Sequence, residues 1–144
     1  MNICSVGFDH IGFSVRDIRS AIKWYSDVFG FSTLIPPGIC EMNLMGHKGY
    51  RCMIQNSTGV CLELEQRTDV EFPRNQSPLI SHFSLNVEDI EAMRAHLLSV
   101  KNVALDNDGE IVNKPDKQIL YITGLDGIRI EIIQNATDQG VEPS

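Results

Sequence analysis

Apolar positions along this chain follow two periods, and the periods alternate in the same order twice. Residues 6–15, VGFDHIGFSV, alternate as a strand does. In 17–30, DIRSAIKWYSDVFG, residues Ile18, Ala21, Ile22, Tyr25, Val28 and Phe29 recur at three- and four-residue spacing. That spacing predicts a helix, with Asp17 as its N-cap and Gly30 as its stop. Shorter strand-like runs follow at 31–35, ending at Pro36-Pro37, and at 49–55 and 59–66, joined by a turn at 56–58. Residues 67–79, polar and holding Pro73 and Pro78, read as a linker. Then the order restarts: a strand at 79–87, a helix at 88–100, a polar loop at 106–117, strands at 118–124 and 127–134, and a tail at 135–144 expected to fray.

The restart reaches individual residues. HIGFSVRDI at 10–18 and HFSLNVEDI at 82–90 share His-x-x-x-x-Val-x-Asp-Ile, and GVCLELEQ at 59–66 and GIRIEIIQ at 127–134 share Gly-x-x-[Leu/Ile]-Glu-[Leu/Ile]-x-Gln. Each half therefore opens on a strand histidine before a helix and closes on a strand glutamate. The predicted fold class is α+β: two βαβββ modules, about 6–66 and 79–134, within one domain spanning 1–144. Each module is too small to bury its sheet face alone. The strands are expected to form a curved mixed sheet with the helices outside.

Strand side chains alternate between faces. Phe8, His10, Gly12 and Ser14 share one face, as do Cys61, Glu63 and Glu65, then Ile80, His82, Ser84 and Asn86, and finally Arg129, Glu131 and Ile133. The opposite faces, such as Ile11, Phe13 and Val15 or Ile128, Ile130 and Ile132, are apolar and suited to packing under a helix. Two imidazoles and two carboxylates on one sheet face form a ligand set for a divalent metal, and a cleft holding them without one would have to desolvate charge. Any one of them alone reads as well as a solvated strand residue. The repeat selects Glu63 over Glu65, because Glu63 aligns with Glu131 and Glu65 with apolar Ile133.

Composition narrows the partners. The 144 residues carry a net charge of −7 with 42% hydrophobic and 22% charged residues, a globular balance whose sign argues against nucleic acid or an anionic membrane. No apolar run is long enough to span a membrane, and the opening MNICSVGFDH lacks the marks of a signal peptide, so a cytoplasmic location is expected. The four cysteines, 4, 40, 52 and 61, form no Cys-x-x-Cys and read as reduced thiols, with Cys52 and Cys61 as packing residues that could be cross-strand neighbours. His47 could add a polar group near the cleft, or lie in a watery loop. Arg51 could meet a substrate carboxylate or phosphate, or be an exposed strand arginine.

The two modules, the strand-borne His and Glu in each, HIGFSVRDIRSAIKWYSDVFGF at 10–31 and DGIRIEII at 126–133 resemble the vicinal oxygen chelate superfamily, which includes glyoxalase I, methylmalonyl-CoA epimerase, extradiol dioxygenases and metal-free bleomycin-resistance proteins. The resemblance covers about 6–134 and places metal ligands on His10, Glu63, His82 and Glu131. The full quartet is most similar to glyoxalase I. Epimerases commonly carry Gln where Glu63 stands, and dioxygenases would use His10, His82 and Glu131 alone. The resemblance implies one divalent metal (Ni, Zn, Co, Mn or Fe), a small carbonyl or thioester substrate and a homodimer. The chemistry expected is a lyase or isomerase reaction: Glu131 or Glu63 abstracts a proton next to a carbonyl, and the metal stabilises the developing enediolate. The alternatives are a small-molecule binding or antibiotic-resistance protein, metal-free or metal-anchored, an epimerase, or a single-domain extradiol dioxygenase.

Overall fold

The first half is a helix laid on a mixed sheet. In chain order it comprises β1 (Ile11–Ser14), α1 (Ile18–Phe29), β2 (Ser32–Met42), β3 (His47–Gln55) and β4 (Cys61–Arg67). The strands are ordered β1-β4-β3-β2, with β1 parallel to β4 and the other pairs antiparallel. The second half repeats the plan with β5 (Phe83–Asn86), α2 (Ile90–Ser99), β6 (Ala104–Leu105), β7 (Val112–Asn113), β8 (Lys117–Thr123) and β9 (Arg129–Asn135). Its order is β5-β9-β8-β6, β7 also pairing with β8 and β5 running parallel to β9. The computed structural model describes residues 3, 5, 7–42, 47–72 and 82–136, with the backbone alone at 39–42 and 47. The chain divides into two compact units, 1–75 and 76–144. The α+β expectation is met by two mixed sheets, one per unit. Among the described residues no helix is long and apolar enough to cross a membrane.

In each unit the alternation puts the aliphatic residues under the helix. Leu62 and Leu64 of β4, and Ile130 and Ile132 of β9, are at most 1% exposed. Above the first sheet, α1 buries Ile18, Ala21, Trp24, Tyr25 and Val28. Trp24 meets Tyr25 edge-on at 4.8 Å, and Tyr25 meets Phe31 at 6.0 Å. Each such side chain removed from water contributes about 1.5–3 kcal/mol. The periodicity named Ile22 where the buried stripe contains Trp24; Ile22 is only half-buried. Above the second sheet, α2 buries Ile90 and Leu97.

The helix starts explain the recurring Asp and Gln. Asp17 accepts from the Ser20 N–H and Asp89 from the Ala92 N–H, the usual N-cap bond. The strand glutamines cap as well: Gln66 Oε1 accepts the Ile18 N–H at 2.8 Å, and Gln134 Oε1 accepts the Ile90 N–H at 2.8 Å. Both satisfy a helix N–H that has no intrahelical partner. Gly30 ends α1 in the left-handed region at φ 71°, its N–H donating to Ser26 O.

Two segments depart from expectation. The strand at 31–35 does not stop at Pro36-Pro37; β2 continues to Met42, with register shifts between Thr33 and Ile35 and between Ile35 and Gly38. Proline lacks an N–H, but β2 is an end strand, where missing donors and local bulges are tolerated. The polar loop at 106–117 contains β7, and with β6 it supplies two short pairings to β8. Residues 73–81, and 137–144 of the tail, lie outside the described residues.

Candidate metal centre

Strand register assembles one imidazole–carboxylate pair in each unit. Parallel pairing sets Glu63 beside Gly12 and Glu131 beside Ser84. Each histidine lies two residues earlier, on the same face. His10 Nε2 stands 3.1 Å from Glu63 Oε2, and His82 Nε2 stands 3.5 Å from Glu131 Oε1. Both glutamates are sheltered, their side chains 14% and 20% exposed. All four predicted ligands are thus found as two pairs, His10 with Glu63 and His82 with Glu131. Within either unit, among the described residues, no third His, Cys, Asp or Glu joins its pair as a metal-holding group.

The surroundings of the pairs differ. His10 Nδ1–H donates to Asp9 Oδ2 at 2.6 Å. This bond, reinforced by the charges of Glu63 and Asp9 against desolvation and Arg51, raises the imidazole pKa above its ordinary 6.5. Arg51 Nη1 is 3.9 Å from Glu63 Oε1, a weak and half-exposed ion pair. In the second unit the Ser84 hydroxyl donates to Glu131 Oε2 at 2.9 Å. Across the next strand, Met53 pairs with Glu63 and Tyr121 with Glu131, so both stand on the same faces as the glutamates. The donor types fit a divalent ion: ring nitrogens and carboxylate oxygens are ordinary ligands for Zn, Ni, Co, Mn and Fe. Asp9 strengthens the fit, because a carboxylate on the far ring nitrogen is what metal-binding histidines carry.

Asp9, Ser84, Met53 and Tyr121 went unremarked as site residues in the sequence. Aligning HIGFSV with HFSLNV puts Gly12 and Ser84 at one position, and that alignment alone singles out Ser84. The cysteines need a correction. Cys61 pairs with Gln55 and Cys52 with Leu64, so they are not cross-strand neighbours. Cys52 is fully buried on the helix face, where burial pushes its thiol up to about 11, whereas Cys61 lies on the glutamate face. The side chain of His47 lies outside the described residues.

The model of the Glyoxalase/Bleomycin resistance protein/Dioxygenase superfamily matches residues 9–121, and the chain belongs to that superfamily. The chain is 28% identical over 126 residues to the metallothiol transferase FosB of Lysinibacillus sphaericus, covering 85% of this chain and 78% of that protein. Its fold is similar to a glyoxalase family protein from Bacillus cereus, with a TM-score of 0.74, 16% identity, and coverage of 93% and 97% of the two chains. It is similar also to the trypanothione-dependent glyoxalase I of Leishmania major, with a TM-score of 0.68, 18% identity, and coverage of 90% and 87%.

Proposed function

We propose that this chain is a metal-dependent enzyme in which His10, Glu63, His82 and Glu131 supply ligands to one divalent ion (Ni, Zn, Co, Mn or Fe). Its reaction is that of a glyoxalase-like lyase or isomerase on a small carbonyl or thioester compound. The observation that carries this reading is the repeated pair: an imidazole 3.1 or 3.5 Å from a sheltered glutamate, at matching positions of both units. A divalent ion there would supply Lewis acidity toward a carbonyl oxygen. The chain's own residues provide the rest. Glu63 or Glu131 takes the proton from the carbon beside the carbonyl and returns it to the neighbouring carbon. Asp9 holds the proton on Nδ1 of His10 and so leaves Nε2 as the nitrogen that would serve as the ligand. Arg51 adds a positive charge on the same face as Glu63, suited to orienting an anionic substrate. The full reading is a single-domain cytoplasmic homodimer without nucleic-acid or membrane partners.

Metal analysis of protein purified without chelator is the first test, with stoichiometric divalent metal expected. The metal-loaded chain is then assayed on methylglyoxal–glutathione hemithioacetal, methylmalonyl-CoA and a catechol. Proton exchange or isomerisation on the first two supports the proposal; oxygen consumption on the third would replace it with dioxygenase chemistry. The similarity to a metallothiol transferase favours a second reading, a resistance protein that joins a thiol to an electrophilic small molecule. Metal-dependent loss of free thiol, without isomerisation, would select it. A chain that takes up no metal and only sequesters a ligand would reduce the fold to a binding protein.

A further inference from the structure

The two glutamates occupy the same place in the repeat and are held differently. Ser84 Oγ donates to Glu131 Oε2 at 2.9 Å, while Oε1 of the same carboxylate faces His82 Nε2 at 3.5 Å. The oxygens of Glu131 are thereby given separate tasks. At the matching position beside Glu63 stands Gly12, which has no side chain to offer. Glu63 turns Oε2 to His10 at 3.1 Å and Oε1 to Arg51 at 3.9 Å, and Arg51 is a long, half-exposed side chain that can follow a moving carboxylate. Given the reading of the pairs as metal ligands, on which this inference rests, we propose that Ser84 is a positioning residue. It commits Glu131 to bind the ion through one oxygen, and the absence of a side chain at Gly12 leaves Glu63 as the adjustable carboxylate. A hydroxyl that fixes the orientation of a ligating carboxylate supports metal affinity by about 10–100-fold.

Space permits the test in both directions. A Cβ built on Gly12 would sit 3.6 Å from Glu63 Cβ and 3.8 Å from its carbonyl oxygen, ordinary van der Waals contact. Ser84 is exposed, so removing its hydroxyl is a mild surface change. Co(II) serves as the probe, titrated into the 144-residue chain in competition with a chelator of known affinity, with the Co(II) absorption bands recorded alongside. Ser84→Ala is expected to weaken Co(II) binding by about 10-fold or more and to shift the bands, and Ser84→Thr, which keeps the hydroxyl, to restore both. Gly12→Ser is expected to tighten binding, and to do so only while Glu63 is present. If the natural chain binds Co(II) and Ser84→Ala binds it as tightly with unchanged bands, the role of Ser84 is overturned and the metal reading stands. A natural chain that takes up no Co(II) overturns both.

Discussion

The first unit holds its helix with aromatic rings and the second holds its helix with aliphatic side chains. Trp24 and Tyr25 of α1 are buried against a sheet that also receives Phe31, while α2 buries Ile90 and Leu97 and leaves Leu98 65% exposed. Near the candidate ligands the contrast is chemical. The first unit supports its histidine, through Asp9, and the second supports its glutamate, through Ser84. What the halves share is narrower: an Asp that caps the helix, a Gln that reaches its first N–H, and a His–Glu pair two register steps apart. A duplicated frame thus keeps the backbone bonds and the candidate ligand positions, while the residues touching them diverge and hold the two carboxylates differently.

The strongest way to break this comparison is to neutralise each carboxylate in turn. We expect Glu63→Gln to lower turnover by about 10²–10⁴-fold, the worth of a positioned base, while retaining most of its metal. Glu131→Gln is expected to lose metal more than Glu63→Gln does. Metal content and kcat measured on the same preparations check this. If both variants keep native turnover, carboxylate-base chemistry is wrong for this site.

Packing comes next. Ala21 of α1 is 0% exposed, and Ala21→Asp should cost on the order of 3 kcal/mol in urea unfolding, since it forces a charge under the helix. Leu98→Asp on α2 should stay within about 0.5 kcal/mol. A large loss at Leu98 would show that the exposed side of α2 had been assigned wrongly.

Acidity should act on His10. The pKa of His10 is raised, first by its bond to Asp9. In the metal-free protein the charged imidazole contributes stability that is full below its ordinary 6.5 and lost as pH rises through the raised value. A metal ion needs the neutral ring, so affinity should fall about tenfold per pH unit once pH drops below that raised value. Asp9→Asn is expected to move the break in Co(II) affinity to lower pH. An unmoved break would remove Asp9 from the account.

The smallest effect sharpens what the halves have in common. Gln66→Ala and Gln134→Ala should each cost about 1 kcal/mol, the range for a lost helix cap, and by similar amounts. A cost confined to one half would mean that the shared bond matters in one unit only.

Much of this plan was legible because it rests on periodicity. The shared faces of His10 with Glu63 and of His82 with Glu131 follow from strand alternation plus a repeated frame, and the first N-cap from Asp17 preceding an apolar stripe; Asp89 stands at the matching place in the repeat. The repeated Gln stood in the motif too, but its bond to Ile18 or Ile90 spans 48 or 44 residues, a separation no local pattern reports. Pro36-Pro37 misled because proline ends an interior strand, and nothing local says that β2 lies at an edge. The short β7 was hidden in a polar segment whose pairing depends on β8 rather than on its own composition.

That edge has a consequence for how the protein behaves at high concentration. An end strand of 11 residues would ordinarily offer a row of unpaired amides to any extended chain it meets, the opening step of aggregation. Pro36 and Pro37 carry no N–H to offer, and the register shifts around Ile35 break the spacing of that row. A newly made or partly unfolded neighbour therefore finds no continuous template along the middle of β2. The two prolines that look like the end of a strand make this strand a poor one to copy.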